Sequence, residues 1–225
     1  MRKLLITFCL SCLVFGNLAA QLLFDTSKSY DYLVKQVLLE PKSDLIIKNV
    51  KYSGKDISIA AFKSKEPTGL IDSGLVISTG SIFDARGPNQ SVKTGVRTSG
   101  MSDVALQAIA TGVVLDAATL EFDLLALRAS IKFEYVFASE EYPEYVDKGV
   151  NDIFGFFISE QGSRALRSQN IARLPDNRTI VSIDNVNHRR NEQYFLRSDF
   201  IEAHDTEFWS KHKEIMLRAA IFAFN

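Results

Sequence analysis

Five carboxylate side chains lie within thirteen residues near the middle of the chain, and they are the residues best suited to chemistry. With one intervening amide they form the set Glu140, Glu141, Glu144, Asp147, Asn151 and Asp152. Lys148 is the one basic residue among them, so the like charges repel unless a cation compensates. Ca²⁺ suits this set because it takes about six to eight oxygen ligands in flexible geometry. We therefore predict a calcium site at these six residues, and the alternative is a solvated loop whose carboxylates cap turns.

The same carboxylates could also serve a second reaction, the hydrolysis of a glycosidic bond. That reaction needs one carboxyl group as acid and another as base or nucleophile, at a defined separation across a sugar-binding cleft. Glu140, Glu141 and Asp152 are the candidates, but adjacent strand residues point to opposite faces, so the two glutamates do not form such a pair. Trp209 is the single tryptophan that could act as a sugar platform. We expect no catalytic residue and no enzymatic activity, with a carbohydrate-active hydrolase as the alternative.

Strands on both sides must position this acidic loop. Residues 131–137 alternate apolar and polar side chains, as do residues 119–124 before them, which is typical of strands with one buried face. Residues 153–158 are apolar on both faces apart from Gly155, which predicts a continuous central strand. The loop is therefore predicted to connect two strands of one sheet system.

The rest of the chain follows the same β-rich pattern. One amphipathic helix is predicted at residues 30–38, where apolar residues recur at helical spacing before Pro41. Further strands are predicted at residues 45–52, 57–62, 75–79, 179–183 and 214–224, and a long surface loop at residues 84–100. Many short strands, long polar loops and one early helix predict a mainly β protein, a jelly-roll-like β-sandwich.

The N-terminus has the pattern of an export signal. Arg2 and Lys3 precede an apolar run at residues 4–15, and small residues follow at the predicted cleavage site. This predicts a signal peptide at residues 1–20 and a single domain at residues 21–225. We expect a protein that is secreted or lies on the extracellular cell surface.

Removal of the signal also removes both cysteines, Cys9 and Cys12. Neither has the sequence context of a lipoprotein signal. The mature chain then has no thiol for a disulfide or a nucleophile, and the three histidines lack close metal-ligand spacing, so a zinc site is not predicted. Core packing and bound calcium are the stabilisers that remain.

The charge balance excludes some classes of partner. Without Arg2 and Lys3 the chain carries 24 basic and 27 acidic residues, a net charge of −3 that offers no field for nucleic acid. The local cluster at residues 188–190 is typical of a solvated turn. No apolar run after the signal is long enough to cross a membrane, since residues 215–224 are interrupted by Arg218.

The acidic loop and its flanking strands also carry a family resemblance. The sequences FASEEYPEY at residues 137–145 and NDIFGFFI at residues 151–158 closely resemble the hallmark of the choice-of-anchor L domain, a family of exported bacterial surface modules. Similar motifs lie in order at residues 49–54, 74–80, 87–89, 116–123 and 182–187, so the resemblance covers roughly residues 25–195. It implies a β-sandwich surface domain without an established enzymatic activity. Family members continue into a further strand and an anchor, and we expect this chain to lack both.

These observations predict an exported, non-catalytic adhesion or recognition module whose acidic loop binds calcium. Its expected partner is a glycan or a surface protein, and not nucleic acid. Two alternatives remain, a secreted carbohydrate-active hydrolase and a structural component of a surface assembly.

Overall fold

The structure is a computed structural model. It describes residues 22–41, 43–65, 71–86, 101–127, 130–139, 141–143, 145–160, 169–196 and 219–223, the last of these as backbone alone. The predicted signal peptide, most of the predicted loop at residues 84–100, and Glu140 and Glu144 of the predicted calcium site lie outside these ranges.

The described residues are mainly β. The strands are β1 Leu22–Asp25, β2 Leu45–Ser53, β3 Ile59–Ser64, β4 Ser73–Ser78, β5 Thr119–Ala126, β6 Tyr135–Ser139, β7 Ile153–Phe154, β8 Phe157–Ile158, β9 Gln169–Asn170, β10 Val181–Ser182 and β11 Ala219–Ala223. The helices are α1 Tyr30–Tyr32, which continues as a π-helix at Leu33–Leu38, and α2 Val104–Gln107. Single 3₁₀ turns lie at Asp56–Ser58, Ile82–Arg86 and Glu192–Tyr194.

The largest sheet has five strands in the order β1-β3-β4-β11-β6. The first three are antiparallel neighbours, whereas β11 runs parallel to both β4 and β6. Because side chains alternate across a strand, β3 and β4 supply two cores. Ala60, Phe62 and Val76 pack with Ile82 on one face.

The other face of this sheet is covered by the π-helix. Leu33 is almost completely buried and packs against Ile59 and Leu75. The segment begins at Ser29, whose hydroxyl accepts the backbone N–H of Tyr32. At its end the N–H of Leu39 donates to the carbonyl of Val34, five residues back, which is π-helical geometry. The sequence predicts a regular amphipathic helix here, and the structure has one α-helical turn followed by this wider π turn.

A separate antiparallel pair, β2 with β5, carries the alternating pattern that the sequence predicts for residues 119–124. The pairing shifts register between Lys48 and Lys51, where Asn49 adopts the left-handed conformation that asparagine tolerates better than most residues. Tyr52 of β2 and Leu120 of β5 pack on the Leu33 cluster, which connects this pair to the large sheet.

The predicted continuous strand at residues 153–158 is wrong. The structure divides it into β7, paired with β10, and β8, paired with β9. The reason is a side chain: between the two strands the N–H of Phe156 donates to the Oδ1 of Asn170, 3.0 Å away, instead of to a ladder carbonyl. The four sheets do not close into one sandwich among the described residues, so the jelly-roll arrangement stays a prediction.

Candidate functional site

One serine hydroxyl contacts both ends of the acidic loop. Ser139, the last residue of β6, donates from its Oγ to the Oδ2 of Asp152 at 2.6 Å. The same oxygen accepts the backbone N–H of Glu141 at 3.0 Å. Ser139 thus bonds both Glu141, two residues after β6, and Asp152, the residue before β7, which brings the two ends of the loop together.

Two of the predicted calcium ligands are buried in this turn. Glu141 is 8 % exposed and Asp152 is 9 % exposed, although carboxylates usually lie in solvent. Burial of a charged group is costly unless hydrogen bonds compensate, and the hydroxyl of Ser139 provides one for Asp152. The carbonyl of Glu141 accepts the N–H of Tyr145, which forms the first turn of the loop.

A segment more than thirty residues later docks against the loop. The Oδ1 of Asp184 accepts the N–H of Asp147 at 2.8 Å, and the N–H of Asp184 donates to the Oδ1 of Asn151 at 3.2 Å. The N–H of Ile183 donates to the carbonyl of Asp152 at 3.2 Å. Asp184, which the sequence analysis does not include among the site residues, thus connects the acidic loop to the chain after β10.

Arg190 supplies a cation to the same region. Its Nη1 lies 2.9 Å from the Oδ1 of Asp147 and donates to the carbonyl of Asp184 at 3.0 Å. Both side chains of the ion pair are partly exposed, so we assign it at most about 1 kcal/mol. The sequence predicts a solvated turn at residues 188–190, and no local pattern connects Arg190 to a carboxylate 43 residues away.

Asn187 holds this second segment in shape. Its side chain is completely buried, and its Nδ2 donates to the carbonyls of Ile183 at 2.8 Å and Asp184 at 3.2 Å. Its Oδ1 accepts the N–H groups of Arg189 at 2.8 Å and Arg190 at 3.0 Å. One amide side chain therefore satisfies four backbone groups and directs Arg190 toward the loop.

Tyr142 adds an aromatic contact between the loop and this segment. Its hydroxyl donates to the carbonyl of Val186, and its ring lies 4.7 Å from that of Phe195. Burial raises the pKa of Tyr142 well above its ordinary value, and the nearby charges of Asp152 and Asp184 raise it further. The phenol is therefore neutral at physiological pH and acts as a hydrogen-bond donor.

The six residues predicted to bind calcium are divided among these contacts. Ser139 makes hydrogen bonds to Glu141 and Asp152, and Asp184 makes hydrogen bonds to Asp147 and Asn151. The other two, Glu140 and Glu144, lie outside the described residues. Within the described ranges no group of three or more histidine, aspartate or glutamate side chains is placed to hold a metal ion. The described residues alone therefore form a hydrogen-bonded turn.

One wall of a large open cleft is formed by this loop. The cleft has a volume of about 2150 Å³ and extends from the loop and β7–β8 to the β2–β5 pair. Its described lining includes nine carboxylate side chains and two lysines, Lys48 and Lys51. Exposed apolar side chains line it as well, among them Val113 at 80 % and Leu115 at 59 % exposure. The cleft is thus acidic and apolar at the same time.

Aromatic residues support the β7–β8 side of the cleft. The rings of Phe133 and Phe156 meet edge to face at 4.6 Å, and those of Tyr135 and Phe154 lie 4.8 Å apart. Burial raises the pKa of Tyr135 to about 12. Gly155 lies between β7 and β8, where a Cβ atom would overlap the ring of Phe157. A side chain at this position would have to displace that ring.

The comparison with protein families decides what kind of domain this is. The family model of the choice-of-anchor L domain matches residues 23–222, nearly the whole chain. The chain belongs to this family. The match begins in β1 and ends in β11, so the acidic loop and the cleft both lie inside the choice-of-anchor L domain. No curated protein and no solved structure matches the chain.

Membership of the choice-of-anchor L family indicates a bacterial protein that is exported or surface-associated, and it does not distinguish secretion from anchoring. The described part of the domain contains no helix long and apolar enough to cross a membrane.

Proposed function

We propose that this choice-of-anchor L domain is an exported, non-catalytic adhesion or recognition module that binds a glycan or a surface protein. The observation that carries the proposal is the open cleft of about 2150 Å³ beside the acidic loop. Sites for small molecules are about 300–1,000 Å³ in volume, so this cleft suits an extended ligand, such as an oligosaccharide or a protein segment.

The contacts of the carboxyl groups favour binding over catalysis. Asp152 bonds the hydroxyl of Ser139, and Asp147 pairs with Arg190, so both carboxylates have structural partners within the domain. A glycosidase also needs two carboxyl groups that face each other across a bound sugar. A carbohydrate-active hydrolase is the second candidate function, because the buried carboxylates of Glu141 and Asp152 both line the cleft.

Binding and turnover are separable in one experiment. The mature protein, immobilised on a sensor, is exposed to a set of polysaccharides and to proteins of bacterial surfaces, while new reducing ends are assayed in the eluate. We expect saturable binding and release of intact ligand. New reducing ends that disappear in Asp152→Asn would establish the hydrolase, and binding to none of the ligands would support a purely structural component of a surface assembly.

A matched pair of variants locates the binding in the cleft. Val113→Asp introduces a charge at an exposed apolar position of the cleft, and Ile57→Asp makes the same change at an exposed position outside it. We expect Val113→Asp to weaken binding at least tenfold and Ile57→Asp to leave it unchanged. Equal effects of the two variants would place the binding surface elsewhere.

Calcium stabilisation of the acidic loop is part of the same proposal. Its support is the local excess of carboxylates, of which Asp147 is partly exposed and compensated by Arg190. A divalent ion competes with the guanidinium for that carboxylate. Arg190→Ala should therefore tighten calcium binding, whereas Arg189→Ala, whose side chain is exposed next to it, should not.

Titration calorimetry on the mature protein and the two arginine variants measures this competition. Melting with and without a chelator gives the effect of calcium on stability. No heat of binding in any of the three proteins, together with a melting temperature that chelator leaves unchanged, would exclude calcium as a stabiliser.

A further inference from the structure

The loop between α2 and β5, residues 108–118, presents apolar side chains to the cleft. Val113 and Leu115 are both more than half exposed, whereas Val114 between them is buried. All three line the cleft. Apolar side chains that stay exposed next to one another mark a contact surface. The tip of this loop, residues 112–115, is therefore shaped for contact with a ligand in the cleft.

One side chain holds this tip. The Nε2 of Gln107, the last residue of α2, donates to the carbonyl of Gly112 at 2.8 Å, and its Oε1 accepts the N–H of Val114 at 3.0 Å. The amide thus bonds the backbone on both sides of Val113, as a neighbouring strand would. Among the described residues, no other hydrogen bond reaches residues 112–115. The conformation of the tip therefore depends on Gln107.

The base of the loop is fixed independently of the tip. The N–H of Ala117 donates to the carbonyl of Met101 at 2.9 Å. The Oδ1 of Asp103 accepts the N–H of Leu106 at 2.8 Å and caps α2, the helix that carries Gln107. Compact surface loops whose ends lie close together are frequently functional. Loss of the Gln107 bonds should therefore release the tip without opening the base.

Gln107 itself does not line the cleft. Its side chain is exposed, and the residues that line the cleft from α2 are Val104, Ala105 and Leu106. Hydrogen bonds at an exposed position add little to the stability of the domain, because water can replace them. Their effect is on the tip. Without them, Val113 could turn away from water, and only a fraction of the molecules would present the contact surface.

We infer that Gln107 is a positioning residue for ligand binding in the cleft. It acts through the backbone of Gly112 and Val114, and it holds Val113 and Leu115 in the orientation that the ligand contacts. The inference rests on the proposed recognition function and adds to it the residue that pre-organises the apolar surface. Pre-organisation raises affinity because less conformational entropy is lost on binding.

Gln107→Met tests this role, because methionine has a similar length and helix propensity but cannot form this pair of bonds. Amide hydrogen exchange on the mature protein without ligand should show the N–H of Val114 exchanging at least tenfold faster, while the N–H of Ala117 keeps its protection. Gln193→Met, at an exposed glutamine outside the cleft, is the matched control and should change neither rate.

Binding kinetics separate positioning from direct contact. The probe is the polysaccharide or bacterial surface protein that binds most tightly to the immobilised mature protein. Gln107→Met should lower the association rate constant about fivefold to tenfold and leave the dissociation rate constant unchanged, because fewer molecules present the ordered tip. Val113→Ala removes a contact and should instead raise the dissociation rate constant.

Three results in Gln107→Met would each overturn the inference: an unchanged exchange rate at Val114, an unchanged association rate constant, or a dissociation rate constant raised as in Val113→Ala. These failures are distinguishable from failure of the recognition function. If the unaltered protein binds the probe and Gln107→Met binds it equally well, only the positioning role is disproved. If the unaltered protein binds no polysaccharide and no surface protein, the recognition function is disproved and the positioning role with it.

Discussion

Replacement of Asn187 by alanine should destabilise the domain more than any other single loss of a polar side chain in the segment that docks on the acidic loop. The substitution removes four hydrogen bonds to backbone groups at a completely buried position. Each such bond contributes about 0.5–1.5 kcal/mol net, and the backbone groups left buried have no water to replace it. We expect a loss of about 3–4 kcal/mol, which is a large fraction of the stability of a typical domain.

The matched control is Asn185→Ala. Asn185 lies two residues earlier, is partly buried, and its Nδ2 makes one bond, to the carbonyl of Ile180 at 3.1 Å. The same chemical change at this position should cost about 1 kcal/mol. Asn187→Asp keeps the shape of the side chain but turns a second oxygen toward the two carbonyls that Nδ2 contacts, so we expect it to be at least as harmful as alanine.

Urea denaturation of the mature protein, followed by circular dichroism, measures these differences. With a slope of about 2 kcal/mol per molar urea, a loss of 3–4 kcal/mol lowers the midpoint by roughly 1.5–2 M, and the control lowers it by about 0.5 M. A midpoint for Asn187→Ala within error of the control would refute the reasoning. In that case the four bonds would not contribute separately to the stability of the native state.

Three further predictions concern other parts of the domain. Gly155→Ala should cost about 1–3 kcal/mol in the same urea assay because its Cβ overlaps a neighbouring ring, whereas Gly112→Ala, with open space around it, should be neutral. Hydrogen bonds from the Thr179 hydroxyl and from two backbone N–H groups lower the pKa of Asp176 to about 2. The stability that these bonds contribute is present above the ordinary Asp pKa of 3.8 and is lost as pH falls from about 4 to about 2. Asp176→Asn should abolish that part of the pH dependence of stability. The raised pKa of Tyr135 has the opposite consequence: the stability that the neutral phenol contributes is complete below the ordinary tyrosine pKa of 10.0 and is lost as pH rises toward about 12. Ultraviolet titration of Tyr135→Phe should therefore lack one late-ionising phenol.

The sequence predicts those elements whose signal is periodic. β5 follows the alternation of apolar and polar residues in 119–124, because one face of that strand packs toward the interior and the other meets solvent. β1 carries no comparable signal, since it is four residues long, and its position depends on pairing with β3. The break between β7 and β8 is equally hidden, because it depends on Asn170, which lies fourteen residues after Phe156.

The acidic loop shows the same limit at the level of the site. Its composition identifies it as the most unusual segment, and four of its six predicted ligands lie in the described turn. Composition does not predict which residues form hydrogen bonds or ion pairs with these carboxylate and amide oxygens. Ser139, Asp184 and Arg190 bind these side chains and backbone groups. Of the three, Arg190 comes from residues 188–190, which the sequence alone presents as a solvated turn.

These long-range partners change how the charge of the loop is to be understood. In the sequence, Lys148 is the one basic residue among five clustered carboxylates, which leaves a calcium ion or solvent as the expected compensation for the remaining charge. In the folded domain, Arg190 reaches Asp147, and it does so because Asn187 bonds the backbone of Arg190 and fixes the turn that carries it. The free energy that positions this guanidinium thus comes from a buried amide and not from the exposed ion pair itself, which is worth little. It follows that Asn187→Ala should loosen the Arg190 contact and expose Asp147 to solvent cations, so the stability of the docked segment and the cation affinity of the loop are coupled.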